Sequence, residues 1–303
     1  MKRISASLLT VMLGGGVAHA AKPEPWQFTL QPAATPIMEQ IVWFETYTFW
    51  FIIPIVLFVL ALLLYVAFRF RESANPVPSR TSHNTVIEVI WTAAPILILL
   101  LLAIPSFNLL TAQYTPDEEP ELTVKATGYQ WYWGYEYQPP ADAEEGAEAI
   151  SYDSILLAND NREASGKTDL EEYPRLLAVD NELVVPVDTT IRLLVTGADV
   201  IHAFAMPAFG LKHDAVPGRI NEAWFRAEKE GIYYGQCSEI CGKDHAYMPI
   251  AVRVVSRDQY NTFIQSAGSD LQGAFGALAA SIEADKNKKL ADATAGANKT
   301  MTE

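Results

Sequence analysis

Hydrophobic residues are spread along this chain in three patterns. Near the start, Lys2 and Arg3 precede an apolar stretch from Leu8 to Val17 and the small residues of "AHAA". That is the layout of a secretory signal, residues 1–20, cleaved after Ala20. Further on, twenty residues from Phe49 to Phe68 and twenty-two from Val89 to Leu110 carry no charge. At ~1.5 Å per residue each run can cross a ~30 Å hydrocarbon core. The pattern predicts membrane helices over 42–69 and 87–112, joined by a polar loop, 70–86, and preceded by an extracytoplasmic segment, 21–41. Pro54, Pro95 and Pro105 are compatible with spans. A buried core helix is the alternative for each run, and two long runs separated by a short polar loop argue against it.

Beyond residue 117 the pattern shortens to alternating segments: 122–137, 182–187, 190–197, 222–227, 231–237 and 247–255. Their β-branched content and Gly/Pro boundaries predict an antiparallel sandwich or barrel over 117–266. Residues 139–172 break the pattern with a Pro-Pro start and an acidic, Gly/Ala-rich run, which reads as a long surface insertion around one strand, "ISYDSILLA". Ser256 before "RDQYNTFIQSA" predicts a capped helix. The tail, 267–303, has few large apolar residues and is expected not to pack.

Charge orients these parts. The loop between the spans carries Arg69, Arg71 and Arg80 against Glu72, whereas the segment before the first span carries Lys22 against Glu24, Glu39 and Glu45. The excess of arginine places the loop inside and both termini outside. Residues 117–303 hold 31 acidic and 16 basic side chains, a net of −15. Such a field repels nucleic acid and attracts basic partners.

The candidate chemistry lies in "YYGQCSEICGKDHAYM", residues 233–248, which holds both cysteines of the chain. Cys237, Cys241, His245 and Met248 are spaced too irregularly for one helix face and fit a loop between two strands. Thiolate, imidazole and thioether together favour copper over hard cations. A disulfide, common in exported proteins, would not need His245 or Met248. Structural zinc would leave the methionine idle and would require a second histidine. His202, in "TGADVIHAFAMPAFG" just after a strand, can reach the cluster, whereas His213 reads as a surface residue.

With the two spans and "GYQWYWGYEY", the segments "HAFAMPAFGLKHDAVPGR" and "YYGQCSEICGKDHAYMPI" resemble subunit II of cytochrome c oxidase over roughly residues 40–265. The resemblance implies a cupredoxin-like domain holding a binuclear copper A centre. Cys237 and Cys241 would bridge two coppers, with His202 and Met248 on one ion and His245 and the backbone carbonyl of Glu239 on the other. It also implies electron entry from cytochrome c at Trp131, flanked by Gln130, and docking acids at Glu136, Asp180 and Asp199. Through Glu239 a magnesium or manganese ion would be shared with the catalytic subunit, and Glu88 would open a proton path that continues there. The chain departs from the commoner pattern in having Tyr129 where histidine is frequent before Gln-Trp.

The implied function is electron transfer from cytochrome c to the haem-copper subunit I, which reduces oxygen to water with proton pumping. The implied setting is a bacterial inner membrane, with lipid around the two helices, other oxidase subunits alongside and both termini in the periplasm. Because the cysteines must stay reduced until metal enters, a copper-delivery partner is implied as well. No C-x-x-C-H, nucleotide loop or nucleophile elbow is present, so oxygen chemistry falls to partner subunits. The competing class is a membrane-anchored copper chaperone or thiol redox protein for oxidase assembly, which offers C-x-x-x-C and a distant histidine on a thioredoxin-like fold. Two spans, Met248 and the all-strand pattern argue against it. Quinol oxidases lack the copper ligands, and nitrous-oxide reductase lacks these spans.

Overall fold

The computed structural model describes residues 21–139 and 149–300. The expected signal, 1–20, and the first part of the insertion, 140–148, lie outside them. The chain divides into a helical unit, 36–117, and a second unit made of residues 118 onward together with the segment before residue 36.

The helical unit is a pair of long apolar helices, α1 (Pro36–Arg69) and α2 (Thr85–Tyr114), both long and apolar enough to span a membrane. Each extends beyond its predicted span, α1 by six residues at its start and α2 by two at each end. At the start of α2 the reason is local. The Asn84 side chain accepts the N–H groups of Val86 and Ile87, and the Glu88 carboxylate accepts the N–H of Asn84 at 3.2 Å. Donors left over at a helix start are thereby satisfied. Across the pair, the Tyr47 hydroxyl donates to the Leu101 carbonyl at 3.2 Å.

The second unit stacks two five-stranded sheets. Its strands are β1 (Leu122–Tyr129), β2 (Tyr132–Tyr137), β3 (Ile150–Ser154), β4 (Leu183–Pro186), β5 (Ile191–Gly197), β6 (His202–Met206), β7 (Leu211–Ala215), β8 (Asn221–Phe225), β9 (Gly231–Cys237) and β10 (Pro249–Val255). One sheet runs β3-β2-β1-β5-β8 and the other β4-β10-β9-β6-β7. In β5, Ile191, Leu193 and Val195 are buried and alternate with half-exposed residues, the period-two signature of a half-covered sheet. By contrast β10 is buried along its whole length. A separate apolar cluster of Val179, Ile232, Tyr234 and Ala251, flanked by Tyr173 and Leu177, joins residues 173–179 to β9 and β10. The residues that follow the insertion therefore form a packed cover on these two strands.

Three expectations change. The sheets are mixed rather than antiparallel, because β1 pairs with β5 and β4 with β10 in parallel. Alternation dictates which side chains face inward; strand direction depends on how the chain crosses between sheets. His202 opens β6 instead of following a strand as a loop residue. The tail also packs. After α3 (Arg257–Ala267), closed by a capping box between Ser256 and Gln259, comes α4 (Leu271–Thr300). Ala274 and Leu278 of α4 are buried, and the Phe275 ring lies 5.1 Å from Phe263 and 5.9 Å from Tyr152. An alanine-rich sequence of high helix propensity needs few large residues once α3 and β3 supply the facing surface.

The segment ahead of α1 is stitched into this unit. Ala21 donates to Ile232 O and accepts from Tyr234 N, extending pairing along β9, and Lys22 Nζ meets Glu171 Oε2 at 2.6 Å.

Candidate metal centre

The cluster forms where β9 ends and β10 begins. Cys237 closes β9, a loop containing a short 3₁₀ turn over His245–Tyr247 follows, and Met248 leads into β10. Pairing of Phe204 with Cys237 brings the start of β6, and with it His202, beside the first thiol.

All six predicted ligands converge. Cys237 Sγ lies 3.9 Å from His202 Nδ1, 3.3 Å from the Glu239 carbonyl oxygen and 3.9 Å from Cys241 Sγ. Cys241 Sγ lies 3.5 Å from His245 Nδ1 and 3.4 Å from Met248 Sδ. His202, Cys237, Cys241 and Met248 are buried, and His245 is half-buried. Because a disulfide needs ~2.05 Å between sulfurs, the cysteines are free thiols here. Six donors exceed the four that a structural zinc site closes with, and two are soft thioether or neutral carbonyl groups that zinc does not require. The set fits a pair of copper ions. Burial first, then the adjacent Cys237, push the Cys241 thiol up to about 12. A metal that takes this thiolate must drive off its proton, so uptake weakens as pH falls.

Glycines make room for the centre. A Cβ on Gly128 would stand 2.8 Å from His202 Cγ. A Cβ on Gly242, which has φ +127°, would stand 2.9 Å from Trp131 Cζ2. Trp133, fully buried, donates from Nε1 toward the Met248 carbonyl at 3.4 Å and sets its ring edge-on to His202 and Phe204. Trp131 and Gln130 occupy the turn between β1 and β2, and both side chains donate to the Cys241 carbonyl, at 3.2 and 2.7 Å. Lys243 Nζ lies 5.6 Å from the Trp131 ring centre.

The remaining predicted residues are placed differently. Glu136 pairs with Lys125 at 2.9 Å, which together with Gln138 holds its carboxyl below the usual range despite partial burial. Asp180 accepts the N–H groups of Ile155 and Asn181, while its burial raises its pKa. Asp199 accepts from His202 Nε2 at 2.8 Å and from the N–H groups of Val200 and Gln130. Burial pushes its pKa up, but these bonds outweigh that and hold it below the usual range. None of the three is a lone solvated carboxylate. Glu239 turns an exposed side chain outward, and Glu88 belongs to the helical unit as part of the α2 cap. His213 lies on β7, opposite Phe204. Gly128, Gly242, Trp133 and the Asp199–His202 pair are the contributors that sequence reasoning missed; for Asp199 the three-residue spacing to His202 was the available signal.

The chain matches the family described as cytochrome c oxidase subunit II, periplasmic domain, over residues 122–255, and the transmembrane domain of the same subunit over residues 23–109. It is 46% identical to "Probable cytochrome c oxidase subunit 2" of Rickettsia felis, across 87% of this chain and 79% of that protein. It is 46% identical to cytochrome c oxidase subunit 2 of Cereibacter sphaeroides, across 81% of this chain and 82% of the relative. Among solved structures, the periplasmic domain of subunit II of cytochrome oxidase from Bradyrhizobium japonicum is 51% identical, covering 50% of this chain and 95% of that one, with a TM-score of 0.41.

Proposed function

Because the chain belongs to the cytochrome c oxidase subunit II family, we propose that it accepts electrons from cytochrome c at a binuclear copper centre and passes them to the haem-copper catalytic subunit, which reduces oxygen to water with proton pumping. The observation that carries this reading is the convergence of His202, Cys237, Glu239 carbonyl, Cys241, His245 and Met248 on one buried volume. His202, Cys237, Cys241, His245, Met248 and the Glu239 carbonyl would hold two copper ions, which would supply one-electron redox chemistry.

The residues around the cluster keep that geometry fixed. The strand ends hold Cys237 and Met248, the fully buried Trp133 excludes water from one side, and Asp199 fixes His202. Trp131 is the electron entry: half-buried, it donates from Nε1 to the carbonyl of Cys241, one of the residues that would hold the copper pair. Gln130 anchors the same turn. Glu136, Asp180 and Asp199, within a unit of strong negative charge, steer a basic partner, and this effect weakens with salt. Glu239, exposed beyond its carbonyl, offers a carboxylate for a magnesium or manganese ion shared with the catalytic subunit. Glu88 opens a proton path at the inner end of α2, where an ionisable group is costly without a function.

The two helices anchor the protein in a membrane, which we assign to the bacterial inner membrane, with both termini in the periplasm. There a copper-delivery partner meets the reduced thiols. A thioredoxin-like chaperone is disfavoured by the two stacked β-sheets.

Two variants in the assembled oxidase test the route. Trp131→Phe is expected to slow reduction by cytochrome c at least tenfold in stopped flow with an unchanged copper spectrum; normal kinetics would falsify entry at Trp131. Glu88→Ala is expected to slow turnover with copper absorption intact, and unchanged turnover removes Glu88 from the proton path.

A further inference from the structure

Both ring nitrogens of His202 are committed. Nδ1 faces Cys237 Sγ at 3.9 Å, and Nε2 lies 2.8 Å from Asp199 Oδ1. His245 is placed differently: its Nδ1 is 3.5 Å from Cys241 Sγ, and among the described residues no carboxylate pairs with its ring. The two histidines of the cluster therefore differ in what stands behind them.

Asp199 is held in place from two sides. It lies in the turn between β5 and β6, where the Val200 N–H donates to Oδ1 at 2.6 Å and the Gln130 N–H donates to Oδ2 at 2.7 Å. Gln130 in turn donates from Nε2 to the Cys241 carbonyl at 2.7 Å, and Trp131 Nε1 reaches the same oxygen at 3.2 Å. One carboxylate thus links a ligand histidine to the turn that carries Trp131, and that turn closes back onto a ligand cysteine.

We propose that Asp199 is a positioning residue that makes the two histidine ligands unequal and couples His202 to the Trp131 turn. The inference rests on the copper reading above. A carboxylate accepting the far N–H of a ligand histidine fixes its tautomer, so that the lone pair sits on Nδ1, and raises its basicity as a ligand. His202 is then the stronger donor of the two, and the two histidine nitrogens would couple unequally to the unpaired electron. A docked basic partner that draws on the Asp199 charge weakens the same bond and favours the reduced centre.

The test uses the full-length chain in detergent, loaded with copper under reducing conditions, with Asp199→Asn compared with Asp153→Asn. Asp153 is an exposed acid on β3 whose charge also reaches Tyr132, and its substitution removes the same unit of charge without touching a ligand. For Asp199→Asn, copper affinity is expected to fall about 10- to 100-fold. Its equilibrium with a one-electron partner of fixed potential should move about tenfold toward reduction, or ~59 mV. Nitrogen-15 electron–nuclear double resonance should show two unequal histidine couplings in the wild type that converge in the variant. Asp153→Asn should match the wild type in all three. Equal couplings in the wild type, or an Asp199→Asn that behaves like Asp153→Asn, overturn the proposal; if the variant does not fold, the wild-type couplings decide alone. A wild-type chain that holds no copper pair overturns the underlying reading instead, and copper content separates that outcome from the others.

Discussion

Strands β9 and β10 carry two buried polar clusters, and the two resolve their polarity in opposite ways. Around Arg253 everything is paired. Its guanidinium donates to Glu182 at 2.6 and 3.2 Å, to Glu172 at 3.3 Å and to the Tyr173 hydroxyl at 3.1 Å. Lys167 Nζ spends its three donors on the Val179 and Asp180 carbonyls and on Glu182. Burial alone would raise the Glu182 carboxyl, but Arg253 and Lys167 hold it at about 2. This network closes on itself and needs no ligand.

At the other end of β10, the atoms of Cys237, Cys241, His202, His245 and Met248 approach one another at 3.4–3.9 Å. The sulfurs among them are weak hydrogen-bonding groups that do not satisfy the facing imidazole nitrogens. A buried cluster whose members satisfy one another is architecture, whereas one whose acceptors all face one volume is a ligand site.

Breaking the closed network should cost the most stability. Glu182→Gln removes the carboxylate shared by buried Arg253 and half-buried Lys167 and is expected to lower unfolding free energy by about 3–5 kcal/mol, measured by chemical denaturation with the copper spectrum of the folded fraction unchanged. The sign with pH follows from the depressed carboxyl. Its stabilisation is complete above the ordinary value of 4.5 and disappears as pH falls toward about 2. The wild type should therefore lose stability across that window more steeply than Glu182→Gln, and parallel acid profiles would show that the network does not hold the domain.

An intermediate effect is expected where backbone and site meet. Gly242→Ala places a side chain at φ +127° against Trp131 and should cost about 1–3 kcal/mol. It should also slow electron entry by displacing the indole, and a variant with native stability and kinetics would contradict that packing. The smallest effect on stability belongs to the open cluster. Met248→Leu conserves volume and should change metal-free stability by less than about 1.5 kcal/mol, while altering the copper spectrum and potential. An unaltered spectrum would remove Met248 from the ligand set.

Much of this was legible in the chain, for reasons that can be named. The uncharged runs Phe49–Phe68 and Val89–Leu110 announce their helices because no soluble environment rewards them, and α1 and α2 contain both. The loop with Cys237, Cys241, His245 and Met248 was readable because its donors are local in sequence. His202, thirty-five residues upstream, was readable as a histidine within reach of the cluster, whereas its pairing with a particular ion and the carbonyl of Glu239 entered through family resemblance. What stayed hidden depends on partners distant in sequence. The parallel β1–β5 pairing, the cover of residues 173–179 on β9 and β10, and the packing of Ala274 and Leu278 each need a surface built elsewhere. In the sequence Asp199 stands out only as a docking acid, through the resemblance, and only the fold turns its carboxylate toward His202.

The central claim concerns the pair of metals at the open cluster. The direct measurement is copper content and electron paramagnetic resonance of the purified full-length chain, loaded with copper under reducing conditions and then oxidised by one electron. Two coppers per chain with a seven-line hyperfine pattern, as two equivalent spin-3/2 nuclei sharing one electron produce, is the predicted result. One copper with a four-line pattern, or a chain that holds copper only as Cu(I) and releases it to an acceptor, would contradict the account.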